Sequence, residues 1–295
     1  MKVGVLLPQA DDDWTTSTPS YAEIRHFALE AERAGLDSIW IVDHVLFRFD
    51  GETSGIQEAW TMASALGEAT SRVEIGTLVL CTEFRNPALL AKMAAGLDDV
   101  SDGRLILGLG CGWHDPEYEA FGYPTDHKVS RFEESLQIVE GLLHQGPSDL
   151  AGRFHSTRDC VLIPPPRHEV PILVAAKRPR MLELTARHAD AWNTAWYGLP
   201  DARLAESHAN LRAACERVGR TEPVTITHGV HVHYPDLHAD LEDRKAISGT
   251  VDEIAAGLAA HAEAGADHVI VWLVPSTMEA LGRLSEAVQR FRAGG

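Results

Sequence analysis

An aspartate and a histidine stand side by side where a short apolar run ends. The run Ser38-Ile-Trp-Ile-Val42 has the length and composition of a buried strand, and Asp43 and His44 follow it directly. An imidazole can serve as acid, base or hydrogen-bond donor near neutral pH, and an adjacent carboxylate can tune that role. We therefore predict that His44 and Asp43 carry proton-transfer chemistry. A surface pair that caps a loop is the alternative.

A glycine-rich segment follows a second apolar run, at residues 105–109. Gly108, Gly110 and Gly112 alternate at its end. Because glycine has no Cβ, this spacing lets a flat ligand approach the backbone closely. The pattern differs from the GxGxxG of dinucleotide-binding loops. Cys111 has no evident neighbouring base, so we interpret it as a buried wall residue rather than a nucleophile.

Two cations precede a predicted helix that begins near Pro179. Ala175-Ala176-Lys177-Arg178 ends the apolar run at residues 172–175. Proline suits the first helical turn, and the free N–H groups and dipole of that turn attract anions. The sequence therefore predicts a phosphate site; a solvated basic turn is the alternative. The next apolar run leads into Trp192-Asn193-Thr-Ala-Trp196, which offers flat apolar surface and an amide.

Strand-like and helix-like segments alternate along the chain, so the apolar runs above are expected to be parallel strands of one sheet. This alternation predicts a (β/α)₈ TIM barrel, whose sites lie at the carboxyl ends of its strands. A doubly wound open sheet is the alternative, but its first turn is usually glycine-rich, and Pro8-Gln-Ala-Asp-Asp12 is not. The predicted strands are residues 3–7, 38–42, 73–80, 105–109, 172–175, 191–194, 224–227 (extending as far as 232) and 268–273. The predicted helices are residues 21–34, 58–69, 87–100, 130–143, 179–189, 201–218, 250–264 and 278–291, with an irregular segment at 113–127.

One proline-rich segment does not fit the repeat. Residues 146–171 carry Pro147, Pro164, Pro165, Pro166 and Pro171. We expect them to be an insertion between the fourth helix and the fifth strand, within a single domain that spans residues 1–295. No other stretch has the length or composition of an interdomain linker.

Composition narrows the possible functions. The formal net charge is −17, which disfavours nucleic acids and anionic membranes as partners. The chain has no apolar stretch of membrane-spanning length, no signal-peptide pattern and four scattered cysteines, so we expect a reduced, cytoplasmic protein. His228, His231 and His233 come closest to a metal cluster, but a polar stripe on one strand is the preferred interpretation, and no metal site is expected.

Several motifs together resemble the luciferase-like monooxygenase superfamily, the flavin- and deazaflavin-dependent barrel oxidoreductases. The similarity covers nearly the whole chain. The motifs that carry it are Gly35-Leu-Asp-Ser-Ile-Trp-Ile-Val-Asp-His44, Arg85-Asn-Pro-Ala-Leu-Leu-Ala-Lys92, Asp102-Gly-Arg-Leu-Ile-Leu-Gly-Leu-Gly-Cys-Gly-Trp113, Pro171-Ile-Leu-Val-Ala-Ala176, Ala189-Asp-Ala-Trp-Asn193 and Ala264-Gly-Ala-Asp-His-Val-Ile270.

The resemblance implies a flavin-type ring, reduced FMN or coenzyme F420, at the barrel mouth. It implies a non-proline cis peptide at Leu78-Val79 behind the ring, with His44 and Asp43 near the ring edge or the substrate. The residues expected at the cofactor are Leu78, Val79, Gly110, Cys111, Gly112, Trp113, Ala175, Ala176, Lys177, Arg178 and Asn193. Deazaflavin-dependent sugar-phosphate dehydrogenases of the family have a catalytic glutamate where this chain has Trp113, so that activity is not expected.

The expected function is therefore an oxidoreductase that oxidises, reduces or monooxygenates a small organic substrate. A separate flavin or F420 reductase and a homodimer are the expected partners. A non-catalytic flavin-binding barrel and, less favoured, a metal-dependent barrel hydrolase are the alternatives. The insertion and the loops after His44 and Asn193, including Phe47 and Phe49, are expected to form the substrate wall.

Overall fold

Eight parallel strands form a closed barrel in the computed structural model of the chain, which describes residues 1–12, 17–239 and 245–294. Each barrel strand pairs with the next, and the last pairs with the first. The (β/α)₈ prediction is confirmed, because an open doubly wound sheet has no such closing pair. The strands are β1 Lys2–Leu6, β2 Ser38–Ile41, β3 Glu74–Thr77, β4 Leu105–Gly110, β5 Ile172–Ala175, β6 Ala191–Tyr197, β7 Thr225–His233 and β8 His268–Val274.

Helices cover the outside of the barrel. Two of them begin with a capping box, Ser20 with Glu23 and Thr250 with Glu253, in which side chain and backbone satisfy each other's free groups. Among the described helices, none is both long and apolar enough to cross a membrane. The helices are α1 Tyr21–Arg33, α2 Ala59–Ala69, α3 Pro87–Ser101, α4 Asp115–Phe121, α5 Lys128–Glu140, α6 Pro179–His188, α7 Ala202–Val218, α8 Val251–Glu263 and α9 Met278–Gly294.

Trp40 fills the barrel interior. Its indole is fully buried, and Nε1 donates a 2.7 Å hydrogen bond to Ser38 Oγ. A Cβ on Gly4 would lie 2.7 Å from Trp40 Nε1, and one on Gly76 would lie 2.2 Å from Trp40 Cε3. The glycines on the strands at either side of β2 therefore provide the room that this large side chain needs.

The third strand is shorter than the sequence predicts. It ends at Thr77 rather than at residue 80, and the predicted cis peptide at Leu78-Val79 is present. The chain then pairs with β4 again through Leu80–Cys81. The apolar run at residues 73–80 is therefore two strand pieces separated by a bulge at the barrel mouth.

The segment predicted to be irregular at residues 113–127 contains a helix, α4. Its sequence carries the ordinary signals of a helix: Pro116 in the first turn, acidic Asp115 and Glu117, and Gly122 in the left-handed conformation at the end. The prediction of an irregular segment was wrong because the helix is only seven residues long. This helix carries a side chain into the site described below.

Residues 146–171 contribute a small antiparallel hairpin outside the barrel sheet. Its strands are Ser148–Ala151 and Ser156–Cys160. The end of the segment is tied to α3, because the buried Asp98 carboxylate accepts hydrogen bonds from the backbone N–H groups of Arg167 and His168 at 2.9 and 3.1 Å.

Three histidines between β7 and helices α7 and α8 form a hydrogen-bonded chain. His208 Nε2 lies 2.8 Å from His228 Nε2, His228 Nδ1 lies 3.0 Å from His261 Nδ1, and His261 Nε2 lies 2.8 Å from the carbonyl oxygen of Gly198. Because a carbonyl only accepts, the proton of His261 is on Nε2, and the other two neutral tautomers follow in sequence. Burial lowers the pKa of His228 to about 3 and also lowers the pKa of His208 and of His261.

The buried histidines predict an acid-sensitive fold. The folded state keeps His228 neutral, whereas the unfolded chain takes up a proton below its ordinary pKa of about 6.5, so this stability is complete above that value and is lost as pH falls toward about 3. At about pH 5 the loss is about 2 kcal/mol for this one residue. We expect urea unfolding to show a smaller drop between about pH 7.5 and 5 in His228→Gln than in the natural chain. The control is His26→Gln at an exposed position, which should keep the pH dependence of the natural chain. If His228→Gln also kept that pH dependence, burial of a neutral His228 would not be a source of the acid sensitivity.

Candidate active site

A cleft of about 430 Å³ opens at the carboxyl ends of the barrel strands. This volume is in the range of roughly 300–1,000 Å³ found for small-ligand pockets. The structure brings all the residues expected at the site to this cleft except Arg178. The cleft is lined by Asp43, His44, Leu78, Val79, Cys81, Gly110, Cys111, Gly112, Trp113, Glu117, Ala175, Ala176, Lys177, Asn193, Ala195 and Trp196.

His44 is held by a buried glutamate from α4. His44 Nδ1 lies 2.9 Å from Glu117 Oε1, and the backbone N–H of Val45 donates to Glu117 Oε2 at 2.9 Å. Both oxygens of the carboxylate therefore act as acceptors, so we assign the His44 proton to Nδ1. Nε2 has no hydrogen-bond partner among the residues that the structure describes, which leaves a proton-accepting atom on a side chain that lines the cleft.

Asp43 is committed to the protein itself. Arg85 donates to its two oxygens at 2.7 and 3.0 Å, and the backbone N–H of Cys81 donates to Oδ2 at 2.9 Å. Burial alone would lower the pKa of Arg85, but its hydrogen bonds to Asp43 and Glu58 raise it, so the guanidinium stays charged. This geometry favours a positioning role for Asp43, which joins the end of β2 to the chain after the bulge.

The alternate glycines make room for the bulge. A Cβ on Gly108 would lie 1.8 Å from the carbonyl oxygen of Thr77, and one on Gly110 would lie 2.7 Å from Val79 Cγ2. Gly112 has φ +68°, and its Cβ would lie 1.9 Å from the hydroxyl of Tyr118. The glycines are therefore required by packing within the protein, and the backbone that they leave bare at residues 110–112 forms one wall of the cleft.

The two thiols in the cleft stay protonated. Burial raises the pKa of Cys81 to about 12 and also raises the pKa of Cys111. The Cys81 Sγ lies 2.8 Å from the hydroxyl of Tyr118, which also donates to the carbonyl oxygen of Cys111 at 2.9 Å. Because the thiolate is the nucleophilic form, these cysteines pack the wall rather than attack a ligand.

The two cations before α6 differ in position. Lys177 lines the cleft, whereas Arg178 is exposed outside its lining and is the N-cap residue of α6 without a side-chain capping bond. The helix begins at Pro179, so free N–H groups of its first turn lie near Lys177 in sequence. This arrangement can hold one anionic group at the edge of the cleft.

An aromatic rim surrounds His44. The hairpin of Phe47–Phe49 and Glu52–Ser54 places the Phe47 ring 4.4 Å from the His44 ring, and the Phe49 ring stacks on Trp113 at 6.3 Å. His114 is buried and does not line the cleft, and its Nε2 accepts a 3.0 Å hydrogen bond from the backbone N–H of Arg48. Burial lowers the pKa of His114, which keeps it neutral and able to accept that bond.

The barrel-facing wall of the cleft is formed by the end of β6. Asn193 is buried, with 3 % of its surface exposed. The ring of Trp196 packs against the rings of Trp272 and His231, whose centres lie 5.4 and 5.3 Å away. A second non-proline cis peptide joins Ala195 to Trp196. These side chains give the cleft a flat apolar floor with one amide.

The three histidines considered as a metal cluster do not converge. His228 joins the chain between the helices, His231 packs inside the barrel on Trp196, and His233 bonds to Ser248 Oγ at 3.1 Å and the His238 carbonyl oxygen at 2.7 Å. Within residues 1–12, 17–239 and 245–294, no group of three His, Cys, Asp or Glu residues is arranged to hold a metal ion.

The predicted site residues left out four that line the cleft, Cys81, Glu117, Ala195 and Trp196, although the flat apolar surface of Trp196 was noted. Glu117 is the important one. The helix signals at residues 115–122 could have found α4, and a glutamate in its first turn follows Trp113 by four residues. Its pairing with His44 crosses 73 residues of sequence, and nothing in the local pattern indicates that contact.

Comparison with known sequences gives a consistent family. The sequence model of the family described as luciferase-like monooxygenase matches residues 1–244. Pyrimidine monooxygenase RutA of Methylorubrum extorquens AM1 is 33% identical over 207 residues, which are 64% of this chain and 56% of that protein. The chain thus spans little more than half of that relative. The pyrimidine monooxygenase RutA of Variovorax paradoxus is 28% identical over 92% of this chain and 73% of its own length.

Solved structures show the same fold at lower identity. An F420-dependent secondary alcohol dehydrogenase in complex with an F420-acetone adduct has a TM-score of 0.81 and 19% identity over 99% of both chains. EDTA monooxygenase from Chelativorans sp. BNC1 has a TM-score of 0.82 and 14% identity over 100% of this chain and 94% of its own. At such identities the likeness concerns the barrel alone.

The contact between Gly108 and Thr77 makes a sharp stability prediction. Gly108→Ala puts a methyl group into a backbone carbonyl, and we expect a loss of at least about 3 kcal/mol. The control is Gly96→Ala on α3, where a Cβ meets nothing within 4 Å and should stabilise the helix by about 0.5–1 kcal/mol. Thermal unfolding of the two variants measures the difference, and equal melting temperatures would contradict the packing argument.

Proposed function

The chain belongs to the luciferase-like monooxygenase family, and we propose that it is an oxidoreductase that binds FMN or F420 at the barrel mouth and acts on a small organic substrate. One observation carries the proposal: bare backbone at residues 110–112, the cation of Lys177 and the His44–Glu117 pair meet in one cleft. Each of them serves a different part of such a reaction.

The residues fit a flavin-type group. A planar ring would lie against Val79 and the stretch Gly110-Cys111-Gly112, two of whose three residues have no Cβ. The Lys177 ammonium and the first turn of α6 would hold the phosphate of the tail, which this acidic chain must bind by local positive charge. The volume of the cleft suits one such ring together with part of a substrate.

The residues around the ring position the reaction and move one proton. When bound, reduced FMN would supply electrons to dioxygen for insertion of one oxygen atom, whereas F420 would exchange a hydride with the substrate. In either case His44 Nε2 takes or returns a proton at the reacting atom, since Glu117 holds the other ring nitrogen. Glu117 also stabilises the imidazolium that forms when Nε2 is protonated.

A planar heterocycle is the first substrate class to test. Relatives at about one-third identity are named pyrimidine monooxygenases. In this chain Phe47, Trp113 and Trp196 present aromatic faces close to His44 or along the cleft. Aromatic faces stack on flat ligands, so these side chains support a planar heterocycle such as a pyrimidine as the first substrate class to test.

The remaining parts of the proposal concern organisation. We take residues 1–295 as one domain with an insertion at 146–171, working in the cytoplasm as a homodimer. If the cofactor is FMN, a separate reductase supplies it in reduced form. The non-catalytic flavin-binding barrel is an outcome of the experiments below.

The first experiment is a titration of the protein with FMN and with F420, followed by absorbance and fluorescence. We expect one of them to bind with a dissociation constant in the micromolar range or below, which corresponds to about 8 kcal/mol of binding free energy. Binding of neither cofactor would overturn the proposal. Binding without turnover of any pyrimidine or alcohol tested would favour the non-catalytic barrel.

Replacement of His44 tests the proton-transfer role. His44→Gln should lower substrate turnover by about 10²- to 10⁴-fold, because general acid–base catalysis contributes that much, while cofactor affinity stays nearly constant. Glu117→Gln should lower turnover as well, and the double variant should be no slower than His44→Gln, since both act through one ring.

The control for the glutamate is Glu119→Gln, an exposed position on the same helix. It should keep the natural rate. Additive losses in the double variant, or full turnover in His44→Gln, would remove His44 and Glu117 from the proton-transfer step.

The anion site is tested by a neighbouring pair. Lys177→Ala should weaken FMN binding by about tenfold but leave riboflavin, which has no phosphate, nearly unaffected. Arg178→Ala removes the same charge outside the cleft lining and should have a smaller effect. Equal losses for FMN and riboflavin in Lys177→Ala would argue against a phosphate contact.

A further inference from the structure

The amide of Asn193 is held in one orientation by the residue behind it. Asn193 Nδ2 lies 2.8 Å from Thr227 Oγ1 and 3.4 Å from the Thr227 carbonyl oxygen. Thr227 Oγ1 donates its own proton to the carbonyl oxygen of Trp192 at 3.0 Å. With that proton committed, both Thr227 oxygens facing the amide are acceptors. The group that Asn193 turns toward them must therefore be its NH₂.

The other end of the amide faces the cleft as a free acceptor. Asn193 is 3 % exposed and lines the cleft, yet Oδ1 accepts no hydrogen bond from any residue in the described part of the chain. The side chain is buried, but its Oδ1 is not among the fully enclosed unpaired atoms, so the oxygen is open to the cleft. An acceptor that is fixed in direction, opens to a cleft and has no partner in the described part of the chain points to a ligand that brings an N–H or O–H group.

We propose that Asn193 Oδ1 accepts a hydrogen bond from the imide N3–H of the bound ring, and that Thr227 is a positioning residue that keeps the oxygen facing it. This inference rests on the proposed function. The oxidised isoalloxazine and deazaflavin rings carry a single ring N–H, the imide N3–H, between two carbonyl groups. A fixed acceptor therefore recognises that edge of either ring, and the orientation of the amide sets the orientation of the ring.

The test compares oxidised FMN with FMN methylated at N3, using fluorescence titration of the whole protein. The natural chain should bind FMN about tenfold or more tightly than the methylated form, because methylation removes the donor. If the titration of the previous section selects F420, oxidised F420 and its N3-methyl derivative take the place of this pair, since they differ in the same group.

Two variants of Thr227 separate hydrogen bonding from shape. Thr227→Val keeps the volume but removes Oγ1, so the amide can turn; FMN affinity should fall by roughly threefold or more while affinity for the methylated form stays the same. Thr227→Ser keeps the hydroxyl and should restore the natural preference. Asn193→Ala removes the acceptor and should abolish the preference altogether.

The outcomes distinguish this inference from the proposed function. If the natural chain binds FMN and its methylated form equally well, the N3–H contact is wrong while the cofactor proposal stands. If Asn193→Ala keeps the full preference, the preference is steric; if Thr227→Val keeps it, Thr227 has no orienting role. If the natural chain binds neither FMN nor F420, the proposed function itself fails. Circular dichroism of each variant establishes that it is folded, and the comparison of Thr227→Val with Thr227→Ser carries the test if Asn193→Ala is not.

Discussion

Close backbone packing between β3 and β4 is the constraint on which the cleft depends. Thr77 Oγ1 accepts from the Gly108 N–H at 2.8 Å and donates to the Gly108 carbonyl oxygen at 2.9 Å. At that separation no Cβ fits on Gly108, and the chain after β3 bulges at Leu78-Val79 before it pairs with β4 again. The bulge puts Val79 against Gly110 and sends the Cys81 N–H to the buried Asp43. The close packing and the bulge together form two walls of the cleft and hold the residue before His44.

The two polar side chains for which we propose a function are each oriented by a second residue behind them. Glu117 leaves His44 with an accepting Nε2, and Thr227 leaves Asn193 with an accepting Oδ1. Burial makes such pairs strict, since an unpaired donor or acceptor inside the protein costs about 1–3 kcal/mol. The cleft therefore presents two uncharged acceptor atoms of fixed direction, His44 Nε2 and Asn193 Oδ1.

Local patterns predicted the barrel and the strand ends well, because the carboxyl ends of parallel strands meet at one face whatever lies between them. That rule alone brought Asp43, Gly110 and Lys177 to one cleft. Side-chain pairs across long separations were beyond it. Arg85 reaches Asp43 over 42 residues, and Glu117 reaches His44 over 73. Such pairs depend on how helices and loops lie over the barrel mouth, which periodicity does not record. The contacts of the Asp43 carboxylate, which Arg85 holds, could not be predicted from the sequence for this reason.

The hydrogen bonds and burial of the titratable groups limit which of them can exchange a proton in the cleft. Asp43 accepts three hydrogen bonds from Arg85 and Cys81, and burial keeps the thiols of Cys81 and Cys111 protonated. Of the groups that line the described cleft, His44 Nε2 and Lys177 Nζ are the proton-exchanging atoms without a partner in the protein. Lys177 is exposed and directly precedes the first turn of α6, where we propose the phosphate binds. Under the proposed function, His44 Nε2 is therefore the atom placed to exchange a proton at the centre of the cleft.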